Sequence, residues 1–185
     1  MLEKIKYPCL LKPRFSHLWR EKYNEKKVLL AHSAQELIKN FNAIKENCLE
    51  VLVQEIIPGP DENVYEWMSY FDAESRPLAY FTGRKLRQSP PDFGIGCLSE
   101  SIYQPKVAEL GLSFLEKIGH KGLAHLEFKI DSRTNQPVFI EANLRTSFIG
   151  ELSVASGIDL PYIAYKDMAQ MGQDKTMPIC AFKEG

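Results

Sequence analysis

The stretch "GLAHLEFKIDSRTNQPVFIEANLR", residues 122–145, decides how this chain is read. Two apolar runs, "GLAHLEFKID" and "QPVFIEAN", flank the polar turn "SRTNQ", which predicts a β-hairpin. After Val138, Phe139 and Ile140 the second run turns polar, with Glu141, Asn143 and Arg145 at intervals of two. Side chains on a strand alternate faces, so Glu141 and Asn143 project to one side, and Arg145 continues the row if the strand persists. The first run supplies Glu127 between Leu126 and Phe128, and pairing through the turn lays it across from Glu141 and Asn143. Two carboxylates and an amide oxygen form a hard, oxygen-only set suited to Mg²⁺ or Mn²⁺. A carboxylate left charged and unpaired in so apolar a strand costs on the order of several kcal/mol, so each acid needs a partner. The alternative is a half-exposed sheet whose acids are bridged to Lys129 or Arg145; three oxygen ligands together across one hairpin favour the metal.

Outward from the hairpin, strands and helices alternate unevenly. "YPCLLK" reads as a buried strand ending at Lys12, "VLLAH" (28–32) as a second strand, and "LEVLVQEII" (49–57) as a third, stopped by "PGPD". Ser33 followed by Glu36 is a capping box, and Leu37, Phe41 and Ile44 share a face, which predicts a helix over 33–47. "NVYEWMSYFD" and "PLAYFTGRKLRQ" read as paired strands with a turn over 73–76, and "SPPDFGIGCLSES" as a loop. A helix over 104–119 carries Val107, Leu110, Phe114, Leu115 and Ile118 on one stripe. A last helical region, 152–170, is broken by Gly157 and Pro161. Hairpins beside helices, with no glycine-rich turn after the first strand, predict an α+β protein of two lobes, 1–58 and 59–185, hinged near Pro58 to Pro60.

The 185 residues are 44% hydrophobic and 25% charged, enough for a core and unlike a disordered tail. A formal net charge of -1 gives no general drive towards nucleic acid or an anionic membrane, so neither is an expected partner. Cys9, Cys48, Cys97 and Cys180 lack paired spacing and read as reduced thiols of a cytoplasmic protein. His17, His32, His120 and His125 share no ligand spacing; His125, two residues before Glu127, is a candidate for the same face. Trp19 and Trp67 read as packing residues. Cations at strand ends could meet phosphates: Lys12 closes a nearly uncharged strand, and Lys85 and Arg87 share a face by their spacing of two.

With these residues in place the sequence resembles the ATP-grasp superfamily, the carboxylate-to-amine ligases. "YPCLLKP", "VLVQEIIPG", "HLEFKID" and "VFIEANLR", then "ASGIDLP", carry the resemblance by their order and spacing. The middle, "TGRKLRQSPPDFGIG", is most similar to the branch near D-aspartate ligase and carbamoyl phosphate synthetase. The resemblance implies two α+β lobes with a nucleotide cleft between them. Lys12 then matches the lysine that meets the α and β phosphates, and Gln54, Glu55 and Ile57 match the hinge that reads adenine. Glu62 falls where relatives hold the ribose, and Lys85 and Arg87 would serve the nucleotide. Glu127, Glu141 and Asn143 match ligands of Mg²⁺ ions that bridge the phosphates, and Arg145 matches the catalytic arginine that faces the acyl phosphate or carboxylate. The implied activity uses ATP to activate a carboxylate as an acyl phosphate for attack by an amine. A nucleotide-binding piece without turnover and a small-molecule kinase would use the same site.

Two departures accompany the resemblance. Where relatives place a glycine-rich phosphate loop, "PRFSHLWREKYNEKK" has no glycine, and Ser16 and His17 are the substitute donors. Relatives also carry an N-terminal domain ahead of the first strand, so a fragment is expected whose partners include such a domain or a second copy.

Overall fold

The computed structural model describes residues 5–24 and 26–171, so Cys180 lies outside the described residues. The chain divides into two compact units, Met1–Ile57 and Pro58–Gly185. Both mix helices with antiparallel sheet, and the fold class is α+β.

In the first unit β1 (Cys9–Pro13) lies between β2 (Leu29–Ala31) and β3 (Val51–Glu55) in an antiparallel sheet. Alternation sends Cys9 and Leu11 to the face that packs on Trp19, Ala31, Leu37 and Ile44, and Leu10 and Lys12 to the other. Trp19 belongs to α1 (Ser16–Tyr23), a helix in the polar segment for which the sequence predicted no element. Its buried ring supplies the helix's apolar contact, and its indole N–H donates to the Lys26 carbonyl at 2.6 Å. In α2 (Ala34–Glu46) Ser33 Oγ accepts from the Glu36 amide at 3.2 Å, and Glu36 Oε2 from the His32 amide at 2.8 Å. Two donors at the helix start are thereby satisfied. Phe41, expected on the buried stripe, is exposed; Leu37 and Ile44, two turns apart, make the core face.

The second unit is a five-stranded antiparallel sheet in the order β6-β5-β4-β7-β8. A short 3₁₀ turn, Asp61–Asn63, leads into β4 (Val64–Phe71), which is buried along its whole length at the centre of the sheet. β5 (Pro77–Ser89) and β6 (Ile95–Ser101) follow as hairpins, α3 (Pro105–Lys117) crosses back, and β7 (Gly122–Asp131) and β8 (Gln136–Asn143) complete the sheet. One face, with Tyr65, Trp67, Phe71, Leu126 and Phe128, packs under Val107 and Leu115 of α3. Leu110 and Ile118 are exposed, so the helix buries Val107, Ala108, Gly111 and Leu115 instead of the predicted stripe. The reason is Gly111: a Cβ there would come within 2.7 Å of the Trp67 indole, so the helix rests its backbone on the ring.

The other face, with Met68, Tyr70, Ala79 and Phe81, packs under Ile149 of α4 (Ile149–Ala155) and Leu160 and Ala164 of α5 (Leu160–Met168). Pro161 lies in the first turn of α5, where a missing N–H is harmless, so it starts a helix. The predicted loop over 89–101 is half strand: its glycines hide β6, an edge strand. Gly96 lies against the Lys85 stem, where a Cβ would stand 3.3 Å from it, a tight contact. Among the described residues no helix is long and apolar enough to cross a membrane, and Cys9, Cys48 and Cys97 are free thiols.

Candidate functional site

Helices α4 and α5 cover only one end of their sheet face. Beyond Met68 the same face becomes polar, because Glu66, Glu127 and Glu141 stand directly opposite one another across β4, β7 and β8. Met68, His125 and Asn143 form the adjacent row. Cross-strand neighbours have Cβ atoms about 5 Å apart, so like charges in a row destabilise the sheet unless they are compensated. Lys85 supplies compensation: its Nζ lies 2.9 Å from Glu127 Oε2, and its side chain is 2% exposed against 17% for Glu127. Ser99 Oγ donates to Glu66 Oε2 at 3.3 Å, and His125 Nε2 lies 3.3 Å from Glu66 Oε1. Asn143 Nδ2 donates to Glu141 Oε1 at 3.0 Å, which leaves the amide oxygen for a cation. The bridging residue for Glu127 is therefore Lys85, in place of the Lys129 or Arg145 that the sequence offered.

Local irregularities aim these side chains. The β7–β8 register steps from Glu127 opposite Glu141 to Phe128 opposite Phe139, which puts one more residue on β8 than on β7. This bulge lets Phe139 turn to the α3 face, against Phe114 and Phe128, while Glu141 turns to the acidic face. A second step on β5 corrects the expectation that Lys85 and Arg87 share a face. Lys85 pairs with Ser99 and Arg87 with its neighbour Leu98, so Lys85 is buried and Arg87 exposed. Arg145 does not extend the row either: β8 ends at Asn143, and Arg145 lies in a bend where its Nη1 donates to the Thr146 carbonyl at 2.9 Å.

The remaining predicted residues fall elsewhere. In the first unit Lys12 pairs with Leu52 and Leu10 with Gln54, so Lys12 and Gln54 share the sheet face opposite the apolar core. Glu55 pairs with Cys9 on the other face, 3.5 Å from Lys6 Nζ, and Ile57 is buried. In the second unit Glu62 is exposed in the 3₁₀ turn and lines a cavity of about 380 Å³ with Tyr65, Arg84, Gln104 and Lys106. Tyr65 and Arg84 are cross-strand partners on the α3 face, so this cavity is separated from the acids by the sheet. Lys129, beyond Glu127 on β7, is held below the ordinary lysine range by burial, opposed by Asp61 and Asp92. The residues missed from sequence are Glu66 and Ser99. Glu66 carried a readable signal, a lone charge between Tyr65 and Trp67 in an aromatic strand, by the same reasoning that singled out Lys12.

The donor set fits a hard divalent cation: carboxylates on facing strands with an amide side chain beside them, and the Lys85 ammonium against Glu127.

No family model matches the chain. The chain has the ATP-grasp fold, the architecture shared by a group of ATP-dependent ligases and carboxylases. It is 27% identical over 169 residues to the D-aspartate ligase of Enterococcus faecium, an alignment covering 88% of this chain and 40% of that protein. Among solved structures it is similar to the biotin carboxylase of Campylobacter jejuni in complex with β,γ-ATP, with a TM-score of 0.72 and 16% identity. That match covers 98% of this chain and 41% of the other. The biotin carboxylase domain of the 2-oxoglutarate carboxylase of Hydrogenobacter thermophilus, solved with MgADP, ADP and bicarbonate, matches with a TM-score of 0.67 and 17% identity. It is covered over 97% of this chain and 40% of that one. The chain thus spans about two fifths of the length of these relatives.

Proposed function

We propose that this chain is the nucleotide-binding core of a cytoplasmic, ATP-dependent ligase that activates a carboxylate for attack by an amine. The observation that carries the reading is the facing pair Glu127 and Glu141, with Asn143 beside them, on an ATP-grasp fold. In this reading Glu127, Glu141 and Asn143 hold Mg²⁺ or Mn²⁺, which when bound neutralises charge on the phosphate oxygens. Lys12 meets the α and β phosphates, Gln54, Glu55 and Ile57 form the adenine hinge, and Glu62 serves the ribose. Lys85 is the buried cation at the acidic row, and Arg87, exposed beyond the β5 bulge, is the outer one. Arg145, in the bend after β8, faces the substrate carboxylate.

A carboxylate oxygen attacks the γ phosphorus, the bond to the β-phosphate oxygen breaks, and ADP leaves. The amine nitrogen then attacks the acyl carbon and expels inorganic phosphate, giving an amide. This chemistry asks for positioning and charge compensation, so no nucleophilic serine or cysteine is required. Amino acids with a free carboxylate, aspartate first, are the substrates to test, because the D-aspartate ligase of E. faecium is among the relatives.

The experiment is titration of the chain with ATP with and without Mg²⁺, followed by ADP release over a panel of carboxylates and amines with hydroxylamine as trap. Mg²⁺-dependent ATP binding with a coloured hydroxamate supports the ligase. Binding without ADP release supports the second reading, a nucleotide-binding piece that needs the rest of a longer ligase or a second copy, favoured by the two-fifths coverage. ADP release with a stable phosphorylated hydroxyl acceptor and no hydroxamate is the kinase. Absence of any Mg²⁺-dependent ATP binding refutes all three.

A further inference from the structure

The acidic face holds a second, chemically different donor set, of which the nucleotide reading uses only Glu127. Glu66 and Glu127 are cross-strand partners, and His125 lies two residues before Glu127 on β7, on the same face. One ligand atom from each of Glu66, His125 and Glu127 can be chosen so that all lie within 4.8 Å of one another. The set is built into the fold: Glu66 is 5% exposed and His125 3%. His125 Nε2 is buried and makes no hydrogen bond, although Glu66 Oε1 stands 3.3 Å away. A buried imidazole nitrogen beside a carboxylate without a hydrogen bond to it is an anomaly, since such atoms are normally satisfied. Ser99 and Lys85, from β6 and β5, reach the Oε2 atoms of Glu66 and Glu127.

We infer that Glu66, His125 and Glu127 form a binding site for a borderline transition-metal ion, Zn²⁺ or Co²⁺ in type, occupied without nucleotide. Imidazole with carboxylates suits Zn²⁺, whereas Mg²⁺ takes oxygen ligands and holds its waters. With metal–ligand distances of about 2.0–2.2 Å, two ligands on one ion stand about 3–3.5 Å apart, so the 3.3 Å between His125 and Glu66 already matches. Three protein ligands leave at least one coordination position open. The site shares Glu127 with the nucleotide reading but does not depend on ATP chemistry.

The test uses the full chain, stripped with a chelator and free of nucleotide, titrated calorimetrically with Zn²⁺ alone and Mg²⁺ alone. One equivalent of Zn²⁺ binds at least 100-fold tighter than Mg²⁺. His125→Gln weakens Zn²⁺ at least tenfold and leaves Mg²⁺ unchanged, and Glu141→Gln leaves Zn²⁺ unchanged. Equal Zn²⁺ affinity in the parent and His125→Gln overturns the inference, as does failure of the parent to bind one equivalent. Should His125→Gln not fold, the parent loaded with Co²⁺ decides. A paramagnetically shifted imidazole proton that loses its signal in Glu66→Gln supports the site, and its absence from the parent overturns it. A parent that binds Zn²⁺ through His125 but never ATP refutes the ligase reading alone; one that binds Mg·ATP but shows no effect of His125→Gln on Zn²⁺ refutes this inference alone.

Discussion

Replacing Lys85 with Met removes the only cation within hydrogen-bonding reach of Glu127 among the described residues while keeping the apolar stem that lies on Gly96. Breaking a buried ion pair by deleting one partner costs about 3–5 kcal/mol, because the other charge is left in a poor environment. Lys85 is 2% exposed but Glu127 keeps 17% of its side-chain surface, so the lower end, about 3 kcal/mol, applies. With a urea slope of about 2 kcal/mol/M, this moves the midpoint of the second unit down by about 1.5 M. Of the two tryptophans, Trp19 belongs to the first unit and Trp67 to the second. Urea titration in a Trp19→Phe background therefore follows Trp67 fluorescence and reports the unit that carries the pair. Adding Glu127→Gln to Lys85→Met removes the stranded charge, so the double variant regains stability and the cycle returns a coupling of at least about 2 kcal/mol. A coupling under about 0.5 kcal/mol would refute the claim that Lys85 compensates the acidic row.

Glu141→Ala is expected to lose Mg·ATP binding in calorimetry while the circular dichroism stays unchanged, since the residue is half-buried on the outermost strand; undiminished affinity sinks its ligand role. Lys12→Ala should weaken ATP by at least tenfold more than adenosine, because only phosphates meet an ammonium; equal losses would make the residue structural. Gly111→Ala forces a methyl group to within 2.7 Å of the Trp67 ring and is expected to cost about 1–3 kcal/mol, read by the same fluorescence; a neutral substitution would mean that α3 can slide. Burial, then the hydrogen bond donated to Asp167 Oδ2 at 2.7 Å, pushes the Tyr70 phenol up to about 12. A raised folded value means that the native state keeps this proton after the unfolded chain, at about 10, has lost it. Its contribution is complete below pH 10 and falls by up to roughly 3 kcal/mol as the pH rises to 12. Tyr70→Phe should flatten stability in that window, and an unchanged alkaline slope contradicts the assignment.

The helices and hairpins were legible because their signals are local. Ser33 and Glu36 announce α2, and the polar turns 73–76 and 132–135 separate runs long enough to be strands. What escaped depends on neighbours distant in the chain. The apolar stripe of α3 shifts because Trp67, more than forty residues earlier, leaves room only for Gly111. β6 was hidden because its glycines read as a loop, while Gly96 packs against the stem of Lys85 on another strand. The same holds at the site. Glu127, Glu141 and Asn143 were found from a hairpin, where pairing follows from the turn. Glu66 joins them through β4 pairing with β7, a contact that spans α3 and two further strands and that period alone does not specify. Lys85 and Arg87 were separated by a bulge, which shifts side chains between faces without marking the sequence.

The division of one sheet face into an apolar and an acidic half explains why the acids can be tolerated at all. Met68, Tyr70, Ala79 and Phe81 under α4 and α5, with the opposite face packed under α3, bury most of the apolar surface of β4 and β5. Removal of apolar surface from water, at about 25 cal/mol per Å², gives this unit its driving force without help from the polar end. Three carboxylates in a cross-strand row, compensated in part by the Lys85 ammonium, the Ser99 hydroxyl and the Asn143 amide, then subtract from a reserve set elsewhere. A row selected for stability alone would alternate charge across the strands. A row that is uniformly acidic, buried at its Glu66 end and bounded by an imidazole nitrogen without a hydrogen bond is what the proposed cation site calls for and what folding alone does not.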